Sequence, residues 1–145
     1  MRSAALLSLL AATVLASSCR SPVDVTAADS TSAHRFDPAV IDSASMQGNV
    51  LVLHLSHGGG CGNHEFALLS SGAFLESNPV QVPMALAHNA NGDLCRALLS
   101  TTQRFNLAVL RLQFLTSYPQ GGPAILQIRA PGPSGLTTSV RYDVR

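Results

Sequence analysis

Three histidines and two cysteines lie within one stretch of the chain, and these residue types can bind metals, attack substrates or form disulfides. The segment HGGGCGNHEF, residues 57–66, contains His57, Cys61 and His64, and it is followed by His88 and Cys95. Imidazole and thiolate groups are ligands for zinc and copper. A thiolate beside a histidine is a nucleophile, and an even pair of cysteines in an exported protein forms a disulfide. Which of these three roles applies depends on the compartment of the protein and on how its strands position these residues.

The N-terminus is typical of an export signal. Met1-Arg2-Ser3 is positively charged, and residues 4–16 (AALLSLLAATVLA) are almost wholly apolar. That run is too short to cross a hydrocarbon layer of about 30 Å as a helix. Residues 1–18 are therefore interpreted as a signal peptide that takes no part in the fold.

The sequence LASSC at residues 15–19 resembles the lipobox of bacterial lipoproteins, with Ala16 where leucine is usual. The resemblance implies that Cys19 becomes the first mature residue and carries a diacylglycerol. Buried acyl CH₂ groups contribute about 0.8 kcal/mol each, so several chains hold a protein on a membrane. Arg20, rather than aspartate, follows the cysteine, a pattern compatible with outer-membrane sorting. The alternative is ordinary signal cleavage after Ala16 or Ser18, which gives a soluble periplasmic or secreted protein.

The mature chain has no charge excess. All nine basic residues are arginines, and without Arg2 eight of them balance eight acidic residues. A neutral chain without a basic run or a tryptophan lacks the footprint that nucleic-acid binding needs. The expected partners are the membrane, through the lipid, and an envelope protein or a small ligand.

Residues 19–35 are small and polar without hydrophobic periodicity, so they are predicted to form a flexible tether. Residues 36–145 are long enough to form a domain with its own core. Apolar alternation predicts strands at residues 36–42, 50–56, 64–69, 80–88, 95–105, 125–129 and 137–144. Pro83 favours an edge position for its strand, because proline cannot donate to a ladder.

One segment has helical spacing, with Leu107, Leu110, Phe114 and Tyr118 three or four residues apart and Pro119 after them. Many short strands with regular turn signals and one short helix predict an all-β fold, a small antiparallel β-sandwich of the immunoglobulin-like kind.

The dipeptide Asn91-Gly92 favours a two-residue type I′ hairpin. In that register His88 faces Cys95, with Cβ atoms about 4.5–5.5 Å apart. The same face carries Val82, Met84 and Leu86 and is predicted to face the core.

With Cys19 lipidated, Cys61 and Cys95 are left to form a disulfide. Closing a loop of about 34 residues stabilises the fold by roughly 3–4 kcal/mol in chain-entropy models. The metal alternative uses His57, His64 and His88, with or without the cysteines, to hold zinc or copper. A thiol enzyme using Cys61 with His64 or His88 has no supporting signature, so no catalytic residue is expected.

The pattern GGGCGNHEF, then ESNPVQVPMALAH, then NGDLC resembles a family of small bacterial exported lipoproteins over residues 58–110. The matching positions are Cys61, His64, Phe66, Pro79, Val80, Gln81, His88, Asp93 and Cys95. The resemblance implies that the glycine-rich loop, the hairpin and their cysteines and histidines form one structural unit, and it implies no particular activity. The expected function is a non-enzymatic binding or structural module of the envelope without a cofactor. The alternative is a periplasmic zinc- or copper-binding protein.

Overall fold

A computed structural model describes residues 22–27 and 34–145. The predicted signal peptide (1–18) and the lipidated Cys19 lie outside the described residues. The described part contains strands β1 (Val23–Asp24), β2 (Thr26–Ala27), β3 (Ala39–Gln47), β4 (Val50–Gly59), β5 (Glu65–Ser70), β6 (Val80–Asn89), β7 (Ala97–Asn106), β8 (Gly122–Arg129) and β9 (Thr137–Val144). Helix α1 (Ala108–Ser117) lies between β7 and β8.

The strands form two sheets around one core. The first sheet has the order β1-β7-β4-β3, and the second has the order β2-β5-β6-β8-β9. Alternate side chains of each sheet are buried against the other, because a strand presents every second residue to the same face. The fully buried core includes Leu51, Leu53, Leu55, Leu68, Leu86, Phe105, Leu126 and Ile128. The prediction of a small all-β fold with one short helix is confirmed.

The sheets are mixed rather than purely antiparallel. β8 runs parallel to β6, from Val80 opposite Ala124 to Ala85 opposite Arg129. Between these strands the chain passes through β7 in the other sheet and then through α1. A parallel pair needs such a long crossover, and the sequence pattern of single strands does not reveal it.

Helix α1 forms where the spacing predicts it. Leu110 and Phe114, four residues apart, are both buried in the core. The backbone N–H of Tyr118 donates to the carbonyl of Phe114 at the end of the helix, just before Pro119. In the described part of the chain, no helix has the length and apolar character needed to cross a bilayer.

Pro83 lies in a strand that is not at an edge, since β6 is flanked by β5 and β8. The local position explains why proline is tolerated. β5 ends at Ser70, opposite Met84, so it does not reach Pro83. Gln81 exchanges hydrogen bonds with Leu75 on that side, and Pro83, two residues later, faces the same way. Its missing N–H therefore removes no bond to a neighbouring strand.

Residues 22–27 fall within the predicted tether, yet they contact both sheets. Val23 and Asp24 lie opposite Phe105 and Asn106 in the first sheet. Residues 26 and 27 lie opposite Leu69 and Ser70 in the second sheet. Such edge pairing uses backbone groups only, so the polar composition of the segment does not predict it.

Candidate functional site

The turn at Asn91-Gly92 has the predicted conformation but does not form the predicted hairpin. Both residues have positive φ, 51° and 75°, as a type I′ turn requires. Asp93 N–H donates to the Ala90 carbonyl at 3.0 Å. After the turn, however, the chain leaves the second sheet and enters the first as β7. The predicted pairing of His88 with Cys95 is therefore wrong, and His88 lies opposite Phe66 on β5.

The chain changes sheet twice at this end of the sandwich. Residues 60–64 connect β4 in the first sheet to β5 in the second, and residues 90–96 connect β6 in the second sheet to β7 in the first. We call these the two crossover loops. The disulfide between Cys61 and Cys95 is present and joins them, with the Cα atoms 5.9 Å apart. The predicted pairing of these cysteines is confirmed, but it links two crossovers rather than a loop and a hairpin.

A carboxylate that the sequence does not single out as functional lies between the crossover loops. Asp93 Oδ2 accepts hydrogen bonds from the backbone N–H groups of Gly60, Cys61 and Gly62 at 2.8–2.9 Å. Its Oδ1 accepts from the Cys95 N–H at 2.9 Å, and the side chain has no exposed area. Donation from the N–H groups of Cys95 and Cys61, aided by His64 and Gly62, holds the Asp93 pKa well below its usual range. The spacing Asp-x-Cys is the available signal, because an aspartate often accepts from the N–H two residues later.

The glycine-rich loop is needed for this close approach. At Gly59 the backbone has φ +142°, and a Cβ there would overlap the imidazole of His64. Glycine is the residue that tolerates both conditions. The glycines therefore allow the loop to close over Asp93 and His64.

The three candidate histidines converge between the sheets, beneath the crossover loops. One ring nitrogen from each of His57, His64 and His88 lies within 4.8 Å of the others. His57 and His88 are only 5% and 1% exposed. Burial lowers the pKa of His88 most, and the nearby His57 and His64 lower it further. Phe66 stacks on His88 with ring centroids 4.5 Å apart and covers one side of the cluster.

Each histidine also has a partner outside the cluster. His57 Nδ1 donates to the Gly58 carbonyl at 3.0 Å, and His88 Nδ1 donates to the Asp37 carbonyl at 3.0 Å. His64 Nε2 lies 3.2 Å from Asp93 Oδ2. The predicted ligands and the disulfide thus form one unit linked through Asp93. Because both cysteines are in the disulfide, neither Cys61 nor Cys95 offers a thiolate nucleophile here.

Replacing Asp93 with asparagine is expected to lower the melting temperature more than Asp143→Asn does. Asp143 is the matched control, because its carboxylate pairs with Arg141 at the surface. A neutral amide in place of the Asp93 carboxylate lacks the charge toward which four N–H groups point, so Asp93→Asn should loosen both crossover loops. Thermal unfolding at neutral pH tests this, and equal losses for both variants would contradict it.

The Asp93 effect should also depend on pH in a defined direction. The unfolded carboxylate takes up a proton near its ordinary pKa of about 3.9, whereas the folded one resists protonation to lower pH. The stabilisation is therefore complete above that ordinary pKa and is lost as the pH falls through the folded pKa. The difference between wild type and Asp93→Asn should be constant above about pH 5 and shrink in acid.

No protein-family model matches this chain, and a sequence search of curated proteins gives no match. Solved structures share its fold. A NigD-like immunity protein from Bacteroides caccae aligns with a TM-score of 0.62 and 16% identity, over 86% of this chain and 64% of its own. A "Putative TOXIN related protein" from Parabacteroides distasonis gives 0.62 and 19%, over 85% and 62%. A "Putative lipoprotein" from Bacteroides fragilis gives 0.58 and 9%, over 85% and 71%.

These likenesses concern the fold alone, because the identities are low. The chain spans less than two thirds of the length of the first two proteins. The resemblance of residues 58–110 to an exported lipoprotein family stays a prediction.

Proposed function

We propose that this protein is a lipid-anchored module of the bacterial envelope that binds a ligand without catalysing a reaction. The observation that carries the proposal is the closed construction of the region around the three histidines. The disulfide and Asp93 lock the two crossover loops over these rings. A region closed in this way can hold a bound ligand in a fixed geometry.

The surroundings of the histidines support a binding role over a catalytic one. Within residues 22–27 and 34–145, none of the hydrogen bonds of His57, His64 and His88 goes to a serine, threonine or cysteine side chain. A nucleophilic enzyme needs such a group beside its base. Both carboxylate oxygens of Asp93 already accept hydrogen bonds from backbone N–H groups, so this side chain has a structural role.

Three observations support an envelope location. The N-terminal segment has the pattern of an export signal, residues 1–18, followed by Cys19. The disulfide is typical of oxidising compartments outside the cytosol. The fold is shared with a protein named "Putative lipoprotein". We place the protein on the periplasmic side of the outer membrane, with an envelope protein or a small ligand as its partner.

Cys19→Ala is expected to move the protein from the membrane fraction to the soluble fraction when it is expressed in a double-membraned bacterium. Without the thiol no diacylglycerol can be attached, and the acyl chains supply the membrane affinity. Ser17→Ala is the matched control, since it alters the same segment and keeps the cysteine. The intact mass of the wild-type protein should show a diacylated N-terminus. Membrane association of Cys19→Ala equal to that of wild type would contradict the anchor.

A further inference from the structure

The histidine cluster draws its members from three different segments. His57 lies near the end of β4 in the first sheet, and His88 lies near the end of β6 in the second. His64 comes from the first crossover loop, immediately before β5. The ring centroids are 4.4–5.1 Å apart in all three pairs. Long-range folding, rather than a local sequence repeat, therefore brings the rings together.

The outer hydrogen bonds determine which nitrogen of each ring faces inward. Carbonyl and carboxylate oxygens only accept, so the nitrogens that face them carry the protons. These are Nδ1 of His57, Nε2 of His64 and Nδ1 of His88. In the neutral rings the remaining nitrogens, Nε2 of His57, Nδ1 of His64 and Nε2 of His88, carry lone pairs, and those of His64 and His88 face each other.

The facing nitrogens of His64 and His88 need a proton or a metal ion between them. His64 Nδ1 and His88 Nε2 are only 2.9 Å apart, and two lone pairs at that distance repel. A single shared proton would satisfy this pair without involving the third ring, His57, whose centroid lies 4.4 Å from that of His64 and 5.1 Å from that of His88. A metal ion satisfies all three nitrogens together.

We propose that His57, His64 and His88 bind one divalent transition-metal ion of the zinc or copper class through these three inward nitrogens. The ion is then the ligand of the binding module proposed above, and this inference rests on that function only for its biological setting. The coordination itself depends on the described residues alone.

The second shell fits this proposal. Histidine ligands of metals characteristically donate their other N–H to a carboxylate or a backbone carbonyl, which fixes the ring and the tautomer. All three rings have such a partner, and His64 has the carboxylate of Asp93. That carboxylate is itself fixed by four backbone N–H groups. The negative charge beside His64 also offsets part of the positive charge of a bound ion.

The donor set selects the class of metal. Imidazole suits zinc, copper and nickel, whereas calcium and magnesium prefer oxygen ligands. Bonds of about 2.0–2.1 Å between zinc and nitrogen place tetrahedral ligand nitrogens roughly 3.3 Å apart. The 2.9 Å separation of His64 Nδ1 and His88 Nε2 is close to this value. One nitrogen from each ring lies within 4.8 Å of the others, so the rings move closer together when an ion binds. The disulfide keeps both cysteines out of the donor set.

The test is a zinc titration of the full mature protein in detergent after removal of metal with a chelator. Isothermal calorimetry and competition with a chromophoric chelator should give one zinc per chain, and zinc should raise the melting temperature. His64→Ala should weaken binding by about 100-fold or more, beyond the 10–100-fold range of second-shell changes. His64 is chosen because it is the least buried of the three residues, and circular dichroism with thiol counting establishes that the variant is folded.

His54→Ala is the matched control. His54 lies on β4 three residues before His57, but it is exposed and bonds Thr102 on the outer face of the sheet. Its zinc affinity should equal that of wild type within about threefold, a difference of about 0.6 kcal/mol. Copper(II) provides a second readout, since electron paramagnetic resonance should show nitrogen couplings from three imidazoles in wild type and two in His64→Ala.

Two results would overturn the proposal. One is the absence of zinc and copper binding at millimolar concentration by the folded, disulfide-bonded protein, which would leave the shared proton as the cation. The other is an equal loss of affinity in His64→Ala and His54→Ala. Neither result bears on the lipid anchor, which the Cys19→Ala fractionation tests separately.

Discussion

Cys95→Ala is expected to lower the free energy of unfolding by about 3–4 kcal/mol, the chain-entropy value for a crosslink between residues 34 apart in sequence. This is a large share of the 5–15 kcal/mol typical of a whole domain. The position of the bond adds a structural reason. Without it, the hydrogen bonds of Asp93 to residues 60–62 and the bond from the Asn91 amide to the Asn63 carbonyl are left to join the two crossover loops. Urea unfolding of the oxidised protein and of the variant measures the difference.

Reduction of the wild-type protein provides the internal control for this experiment. Reduced wild type should unfold at nearly the same urea concentration as Cys95→Ala, because both lack the crosslink and keep the same strands. The variant itself should be insensitive to reductant. A change below about 0.5 kcal/mol, as for an ordinary surface substitution, would show that the disulfide contributes nothing to the fold.

Leu86→Ala is expected to cost about 2–5 kcal/mol, because it removes a fully buried side chain from a packed core. Leu86 has no exposed surface and shares a face of β6 with His88. The resulting cavity would lie directly beside the histidine cluster. Metal affinity, measured on the folded fraction of Leu86→Ala, should therefore fall together with stability.

Leu98→Ala makes the same chemical change on the outside of the molecule. Leu98 is 80% exposed on β7, so its loss should change the free energy of unfolding by less than about 0.5 kcal/mol. Urea unfolding of the two variants side by side separates burial from residue type. Similar losses at both positions would contradict the assignment of the core to the space between the sheets.

The local features of this structure can be predicted from the sequence. Alternation predicts the strand from Thr137 to Val144 with both of its ends, and helical spacing predicts α1 around Leu110 and Phe114. The conformation of the Asn91-Gly92 turn is also predicted correctly, because it depends on those two residues. These local patterns reflect the dihedral preferences of individual residues and the period with which their side chains are buried.

The errors are all long-range. Residues 90–96 contain no signal that the chain crosses to the other sheet, because a type I′ turn is compatible both with a hairpin and with a crossover. The role of Asp93 is hidden for the same reason, since three of its four N–H donors lie more than 30 residues earlier. The cysteine pair is predictable because only two cysteines remain once Cys19 is assigned to the lipid.

The pairing of β1 with β7 limits how far the domain can lie from a membrane that holds Cys19. Asp24 lies opposite Asn106 on β7, whereas His57 lies opposite Leu99 on the same strand. About seven residues of extended chain separate these positions by roughly 23 Å. Val23 lies only four residues after Cys19, so an acylated Cys19 would hold β1 within roughly 14 Å of the lipid surface. The folded domain, its histidine cluster included, would therefore stay close to the bilayer instead of lying at the end of a long tether.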